Sequence, residues 1–281
     1  MKSPAGARAM ALSSSYVAAA DNSEAIFWNP AGMARLEGSG QSDLSLSYNS
    51  LLETSYASTV GYALPLSGER GVIGLSMVYF SQSSIQGYSP LGDPGDSFQP
   101  YDLAFTGGYA KKIGKVRVGG SAKFIRSKLS DASGSAFALD FGLQGERVTD
   151  LGEGALDIGV SVRNLGPAIR LGAIADPLPF KLQMGALWHI SPRLKGMLDG
   201  HMPVDEAPFA SVGAEWNYPV AESTSFAFRA GYNVRNDRDI EGLTGFSGGF
   251  GLSLAQFRID YAWVPLGDLG MTHRISLGFK F

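Results

Sequence analysis

The sequence predicts an all-β protein: an antiparallel transmembrane barrel of about fourteen strands, with an N-terminal helical segment lodged inside its lumen. Three observations predict it. From Gln41 onward the chain alternates with a period of two, one phase large and apolar, the other small or charged. The connections between these strands alternate between long and short. Residues 1–40 break the pattern: they are Ala-rich, lack alternation and end in the tight sequence Trp28-Asn29-Pro30-Ala31-Gly32. This divides the chain into an N-terminal segment, 1–40, and a barrel, 41–281.

Composition narrows the class. Among 281 residues there are 37 glycines, 11% aromatics and only 17% charged residues, fewer charges than an ordinary soluble domain carries. Mean hydropathy is nonetheless near zero. No run approaches the ~18 apolar residues of a membrane helix. A barrel reconciles these facts, because lipid-facing and lumen-facing residues cancel in any window. The net charge of −3 offers no basic footprint for nucleic acid. With no cysteine, disulfides and thiolate metal sites are excluded, and no cofactor is implied. Met1-Lys2 leads into Ser3-Pro4 without an apolar signal-peptide core, so the chain is expected to be a mature or truncated form of an exported protein.

Taken in order, Ala9, Leu12, Tyr16 and Ala19 fall near helical spacing and predict a short helix over roughly Ala5 to Ala20, weakened by the Ser13-Ser14-Ser15 triplet. Asp21 and Asn22 could cap a second helical turn over Glu24 to Trp28. Pro30 then forces Asn29 out of the helical region. This stretch reads as a folded arm or as a lumenal plug. The strands follow. Leu44, Leu46 and Tyr48 alternate with serines and Asp43. Tyr56 to Leu64 and Ile73 to Tyr79 continue the pattern. So do Leu103 to Tyr109, then Val116 to Phe124, with Arg117 and Lys123 on the small face. Phe137, Leu139, Phe141 and Leu143 oppose Ala136, Ala138, Asp140, Gly142 and Gln144. Leu156 to Val162 oppose Asp157, Gly159 and Arg163. Leu182 to Ile190 oppose Gln183 and His189. Weaker strands lie near Leu194 to Met202 and Phe209 to Tyr218. Phe226 to Val234 oppose Arg229. Phe246 to Leu254, Phe257 to Trp263 (against Arg258 and Asp260) and Ile275 to Phe281 complete the series.

An even strand number suits a single-chain outer-membrane barrel. With both termini periplasmic, the long connections around Gln86 to Pro100, Leu165 to Phe180 and Arg235 to Gly245 all fall outside. Lys111 to Lys115, Ser191 to Arg193 and Ala255-Gln256 fall inside. A soluble sandwich or propeller would put polar residues on the face that is here large and apolar.

Other motifs carry little. Gly245-Phe-Ser247-Gly-Gly249 matches a nucleophile elbow but sits in an alternating strand with no helix after it, so no catalytic residue is assigned. His189, His201 and His273 lack metal spacing. Asp237-Arg-Asp239-Ile-Glu241-Gly242 could offer oxygens to Ca²⁺ but reads as a solvated loop. The inward charges Arg117, Asp140, Asp157, Arg163, Arg229, Arg258 and Asp260 are expected to pair with one another and with the N-terminal segment, since buried charges need partners.

Gly6-Ala-Arg-Ala-Met-Ala-Leu12, Val17-Ala-Ala-Ala-Asp21 and Trp28-Asn-Pro-Ala-Gly32 resemble the N-terminal signature of the PorV/PorQ proteins within the FadL-like outer-membrane superfamily. Leu64-Pro-Leu66, Val162-Arg-Asn-Leu-Gly-Pro167 and Asp260-Tyr-Ala-Trp-Val-Pro265 are similar to the same family, so the resemblance spans the chain. The ending Phe279-Lys-Phe281 resembles the C-terminal signal read by the outer-membrane barrel assembly machinery. The resemblance implies a non-enzymatic barrel of the bacterial outer membrane, surrounded by its lipid. Asn29, Pro30, Ala31 and Gly32 would form its hatch. It would act in transport or protein secretion, with secretion-system components or secreted cargo as partners. The alternative it implies is a FadL-type channel for long-chain fatty acids or other hydrophobic small molecules, passed in part through a lateral opening in the wall.

Overall fold

The computed structural model describes residues 5–52, 54–89, 91–235 and 241–281. The barrel strands are β1 (Asp43–Ser50), β2 (Tyr56–Pro65), β3 (Val72–Ser81), β6 (Tyr101–Ile113), β7 (Val116–Leu129), β8 (Ala132–Leu151) and β9 (Gly154–Leu165) in the first half. The second half supplies β12 (Lys181–His189), β13 (Leu194–Pro203), β14 (Phe209–Ala221), β15 (Thr224–Asn233), β16 (Phe246–Leu254), β17 (Phe257–Pro265) and β18 (Met271–Lys280). Two hairpins, β4 (Ile85–Tyr88) with β5 (Pro94–Phe98) and β10 (Ile169–Leu171) with β11 (Ile174–Asp176), lie in connections outside the wall.

These fourteen strands form one closed antiparallel meander in which β1 pairs with both β2 and β18. The seam runs from Asp43 opposite Lys280 to Ser50 opposite His273, and Ser42 and Phe281 extend it with two further backbone hydrogen bonds. Closure leaves no strand edge. In hydrocarbon each unpaired backbone group would cost several kcal/mol. The expected parity of connections holds: the chain leaves β3, β9 and β15 at one end and returns there to β6, β12 and β16, while 66–71, 114–115, 152–153, 190–193, 222–223 and 255–256 lie at the other, beside the barrel's first and last strand residues. The two-residue turns at 114–115 and 152–153 use Gly114 and Gly152 at φ 60 and 64, the left-handed region that such hairpins require.

The outward phase is apolar and uncovered. Leu75, Phe137 and Phe228 remain 55%, 67% and 51% exposed, as a lipid-facing wall demands and an aqueous one could not tolerate. Tyr48, Tyr56, Tyr79 and Tyr101 run along neighbouring strands at the loop end with ring centroids 6.0–6.2 Å apart. Phe257, Phe279, Phe281 and Tyr62 form a comparable chain at the turn end. Such aromatic bands mark the two membrane interfaces.

The N-terminal segment is not one helix over Ala5 to Ala20. Helix α1 spans only Ala7–Ala11, and Ser13 and Ser14 leave the helical region at φ 50 and 70. The serines break the helix because the wall takes their hydrogen bonds: Ser13 Oγ meets Ser247 Oγ at 2.7 Å and Ser15 Oγ donates to Ser211 Oγ. Helix α2 spans Ala25–Trp28, preceded by an Asn22 side chain that accepts from the Glu24 N–H. Asn29 is extended, as Pro30 dictates, and a 3₁₀ segment follows over Pro30–Leu36. The strands read as weak, β13 and β14, are full members of the wall, and β8 is longer than its alternation suggested because it continues through a register break after Gly145.

A heat-modifiable gel shift tests this architecture. The unboiled protein in detergent should migrate faster than the boiled one; identical migration, together with solubility in plain buffer, would contradict a membrane barrel.

Candidate functional site

The lumen holds the N-terminal segment. Ala5 to Leu36 is buried almost throughout, with Leu12, Tyr16, Val17 and Met33 at 0% exposure. Helix α1 packs on β15 to β18, and the 3₁₀ segment packs across the lumen on β2, β3 and β6 to β8. The segment therefore bridges opposite walls. Its own core joins Tyr16 to Trp28 edge-on at 6.0 Å, with the Arg8 guanidinium 5.5 Å from the Tyr16 ring centroid.

Its backbone rests directly on glycines of the inward phase. A Cβ on Gly119 would lie 2.5 Å from the Ala31 nitrogen, one on Gly159 2.6 Å from the Val17 oxygen, and one on Gly231 2.5 Å from the Leu12 carbonyl carbon. Each has a glycine partner across the ladder: Gly119 with Gly142, Gly159 with Gly185, Gly231 with Gly213. The absent side chains make room for the segment's main chain. At Gly142 a Cβ would collide with the Asn29 side chain itself.

Asn29 is the hinge of this contact. Its Oδ1 accepts from the Ala31 N–H at 3.2 Å, and its Nδ2 donates to the carbonyls of Val17 at 2.8 Å and Leu143 at 3.0 Å. Pro30 and Ala31 lie over Gly119, and Gly32 lies against the Ala20 carbonyl, where a Cβ would clash.

The inward charges form several local groups and not one network. In the largest, Arg8 pairs with Glu215 at 2.8 Å and Asp21 at 2.7 Å. Arg229 then links Glu215 to Asp260, both at 2.7 Å, and Arg258 links Asp260 to Asp43 at 3.2 and 3.6 Å. Asp157 binds Arg35 of the segment at 2.9 Å and His189 at 3.2 Å. Arg163 donates to the Phe27 carbonyl at 2.6 Å and lies 5.3 Å from the Trp28 ring centroid. Asp140 pairs with Lys123 at 2.7 Å. Arg117 stands apart, paired with Glu146 at 2.6 Å. Phe279 and Phe281 belong to the turn-end aromatic chain. His201 stacks on Phe209 inside the wall, and His273 meets the Tyr261 hydroxyl at 2.7 Å on the exposed face. Ser247 serves as a contact of the segment, donating to the Ala11 carbonyl at 3.0 Å. Most of Asp237 to Gly242 lies outside the described residues.

Alternation placed Gln144 and Gln183 on the inward face without a role, and it did not single out Glu215 and Asp199. Asp199 accepts the backbone N–H groups of Tyr16 and Val17 at 2.8 and 3.0 Å, and Gln144 donates to the carbonyls of Val17 and Ala20. Each is a long polar side chain in the inward phase. That phase alone marks them as contacts for whatever fills the lumen.

On the loop-end side of the segment lies a cavity of ≈ 140 Å³. Phe27 and Trp28 form its floor, Val78, Ala104 and Ile125 its wall, and Phe209 its far side. Lys123, Arg163, Lys181 and Arg235 also line it, together with Asp102, Asp205 and Glu206; Lys181 and Arg235 sit 5.2 and 5.7 Å from the Phe209 ring centroid, and Glu206 holds Arg235 at 2.6 Å. Leu178 and Ile169, from the 166–180 connection, pack onto Ala104, Ile125, Ala136 and Ala138 at the mouth. Across the wall, an apolar notch of ≈ 550 Å³ on the lipid face shares Thr106 and Lys123 with the cavity lining.

The closed fourteen-stranded barrel is similar in fold to several solved transporter barrels. The toluene transporter TbuX of Ralstonia pickettii superimposes over 98% of this chain and 97% of its own, with a TM-score of 0.64 at 13% identity. The Pseudomonas putida toluene transporter TodX covers 98% and 96%, at 0.61 and 11% identity. A Pseudomonas aeruginosa FadL homologue covers 100% and 99%, at 0.60 and 11% identity. No protein-family profile matches the sequence, and no curated protein is similar to it.

Two outcomes follow from these contacts. Gly159→Val should press the wall against Val17 and Ala18, destabilising the folded protein by roughly 1–3 kcal/mol, as measured by thermal unfolding in detergent. Glu24, in the N-terminal segment, is 2% exposed, and neither carboxylate oxygen has a hydrogen-bond partner among the described residues. Burial pushes its pKa up to about 7, with Arg258 and Arg8 opposing the shift and Asp260 and Asp43 adding to it. A raised carboxyl pKa stabilises the folded state fully below the ordinary value and loses that contribution as pH rises through about 7. Glu24→Gln should therefore raise Tm at pH 8 and flatten the Tm profile between pH 5 and 8; an unchanged profile would refute the assignment.

Proposed function

We propose that the protein is a non-enzymatic outer-membrane channel for hydrophobic small molecules, with its N-terminal segment as the hatch. The observation that carries this reading is the cavity at the loop end of the lumen, where Phe27 and Trp28 of the segment face Val78, Ala104, Ile125 and Phe209 of the wall. A solute entering past the 166–180 connection meets aromatic and aliphatic surface, beside charges of both signs of which Arg235 and Lys123 are already paired with Glu206 and Asp140. The structural neighbours named as toluene transporters and as a FadL homologue support uptake. None of those neighbours is named for secretion, so the docking of secreted cargo implied by the PorV/PorQ resemblance takes second place.

The segment also blocks an axial path. Arg8, Arg35 and Asn29 tie it to walls on several sides, and its main chain rests directly on Gly119, Gly159 and Gly231. A shorter exit runs sideways. Thr106 and Lys123, register partners on β6 and β7, line both the cavity and the lipid-face notch, on either side of the paired β6–β7 ladder. A solute crossing there would reach the bilayer without displacing the whole hatch.

Ala104→Trp should fill the cavity and lower uptake of labelled toluene into cells at least several-fold without altering heat modifiability. Deleting residues 1–32 should convert a barrel that is silent in planar bilayers into an ion-conducting pore. Uptake unaffected by the tryptophan, or full-length protein conducting as well as the deletion, would defeat the channel and the hatch respectively.

A further inference from the structure

The outward face of β7 reads Val116, Val118, Gly120, Ala122, Phe124, Arg126 and Lys128. Arg126 and Lys128 are the one pair of basic residues at consecutive outward positions of a barrel strand among the described residues. Both are exposed, and neither has an ion-pair partner among the described residues. They lie toward the loop end, where a cation on a lipid-facing strand is tolerated because it reaches the headgroup layer.

Their surroundings are specific. Register places Leu103 and Ser135 beside Arg126, and Tyr101 and Ser133 beside Lys128. Tyr79 stacks with Tyr101 at 6.2 Å, so hydroxyls flank the two cations. Directly below, two small outward residues, Gly107 and Ala122, face each other across the ladder between Leu75, Phe105, Phe124 and Phe137. They create the apolar notch of ≈ 550 Å³. At about 3.3 Å of rise per residue, Arg126 lies roughly 13 Å along the strand from Ala122. An acyl chain seated in the notch would carry its headgroup to the cations.

We propose that this face is a binding site for a phosphorylated, polyacylated glycolipid of the external leaflet, with an acyl chain in the Gly107–Ala122 notch and a phosphate held by Arg126 and Lys128. Charge complementarity selects the headgroup: guanidinium and ammonium groups beside free hydroxyls suit phosphate oxygens. The inference rests on the outer-membrane reading but not on transport of any solute.

Native mass spectrometry of the full-length protein tests it, with lipid A, its dephosphorylated form and inorganic phosphate as probes. Lipid A should bind the wild-type barrel at least tenfold more tightly than R126A/K128A, while the dephosphorylated lipid should bind both alike. Gly107→Phe, which fills the notch but keeps both cations, should weaken both lipids. R126Q/K128Q serves as a second variant should the alanine pair fail to fold, and heat modifiability confirms the barrel in each. Equal binding of lipid A to wild type and double variant would overturn the proposal, as would inorganic phosphate displacing lipid A completely. Failure of the toluene uptake assay would leave this result untouched, so the two readings are separable.

Discussion

Closure of the hydrogen-bond ladder between β1 and β18 is the constraint from which the rest of this structure follows. In hydrocarbon an open edge would leave a row of unpaired backbone groups, so the sheet must meet itself. Once it does, every strand has one face in lipid and one in the lumen, and side chains must alternate. The seam from Asp43–Lys280 to Ser50–His273 also brings the two ends of the barrel's chain together at the short-turn end. From there the N-terminal segment has direct access to the lumen.

A fourteen-stranded wall encloses more space than its own inward side chains fill, whereas about eight strands would pack solid. The N-terminal segment occupies that space, and its presence sets two further requirements on the wall. Where its main chain touches the strands, glycine is needed: Gly119, Gly142, Gly159 and Gly231 are positions where any side chain would strike the segment. Where it brings polar groups, the wall must answer them. Asp199 meets the Tyr16 and Val17 N–H groups, Gln144 the Val17 and Ala20 carbonyls, and Glu215 the Arg8 guanidinium. Removing one partner of such a buried pair strands a charge, which costs about 3–5 kcal/mol. Seating of the segment and integrity of the wall are thereby coupled.

The same arrangement shapes what the barrel can do. The segment reaches the loop end at Ser13, beside Asn233 and Gly245, and leaves a cavity over Phe27 and Trp28 on the β3 to β7 side. The lipid face beside it is equally particular, since the small residues Gly107 and Ala122 thin the wall where the cavity lies closest. The proposed loop-end entry, the proposed sideways path at Thr106 and Lys123, and the proposed glycolipid seat at Arg126 and Lys128 thus fall on one sector of the wall, β3 to β8.

The period-two pattern determined much of this from sequence alone. It set which phase of each strand faces lipid, how many strands there are and which connections share an end. That signal is local: the pleat sends alternate residues to opposite faces whatever lies across from them. Ser13 and Ser14 show where local reasoning stopped. Helical spacing favoured one helix to Ala20, but Ser247 and Ser211, more than 190 residues away, bond Ser13 and Ser15 and draw the triplet out of it. The inward charges show the same limit. Arg117, Asp140, Asp157, Arg163, Arg229, Arg258 and Asp260 all point to the lumen as their phase requires, yet their partners depend on strand register and on where the segment comes to rest. Arg117 thus finds Glu146 near the turn end, while Arg229 joins Glu215 and Asp260. Phase is a property of neighbouring residues along one strand. Partnership is a property of the closed barrel, and only the tertiary structure decided it.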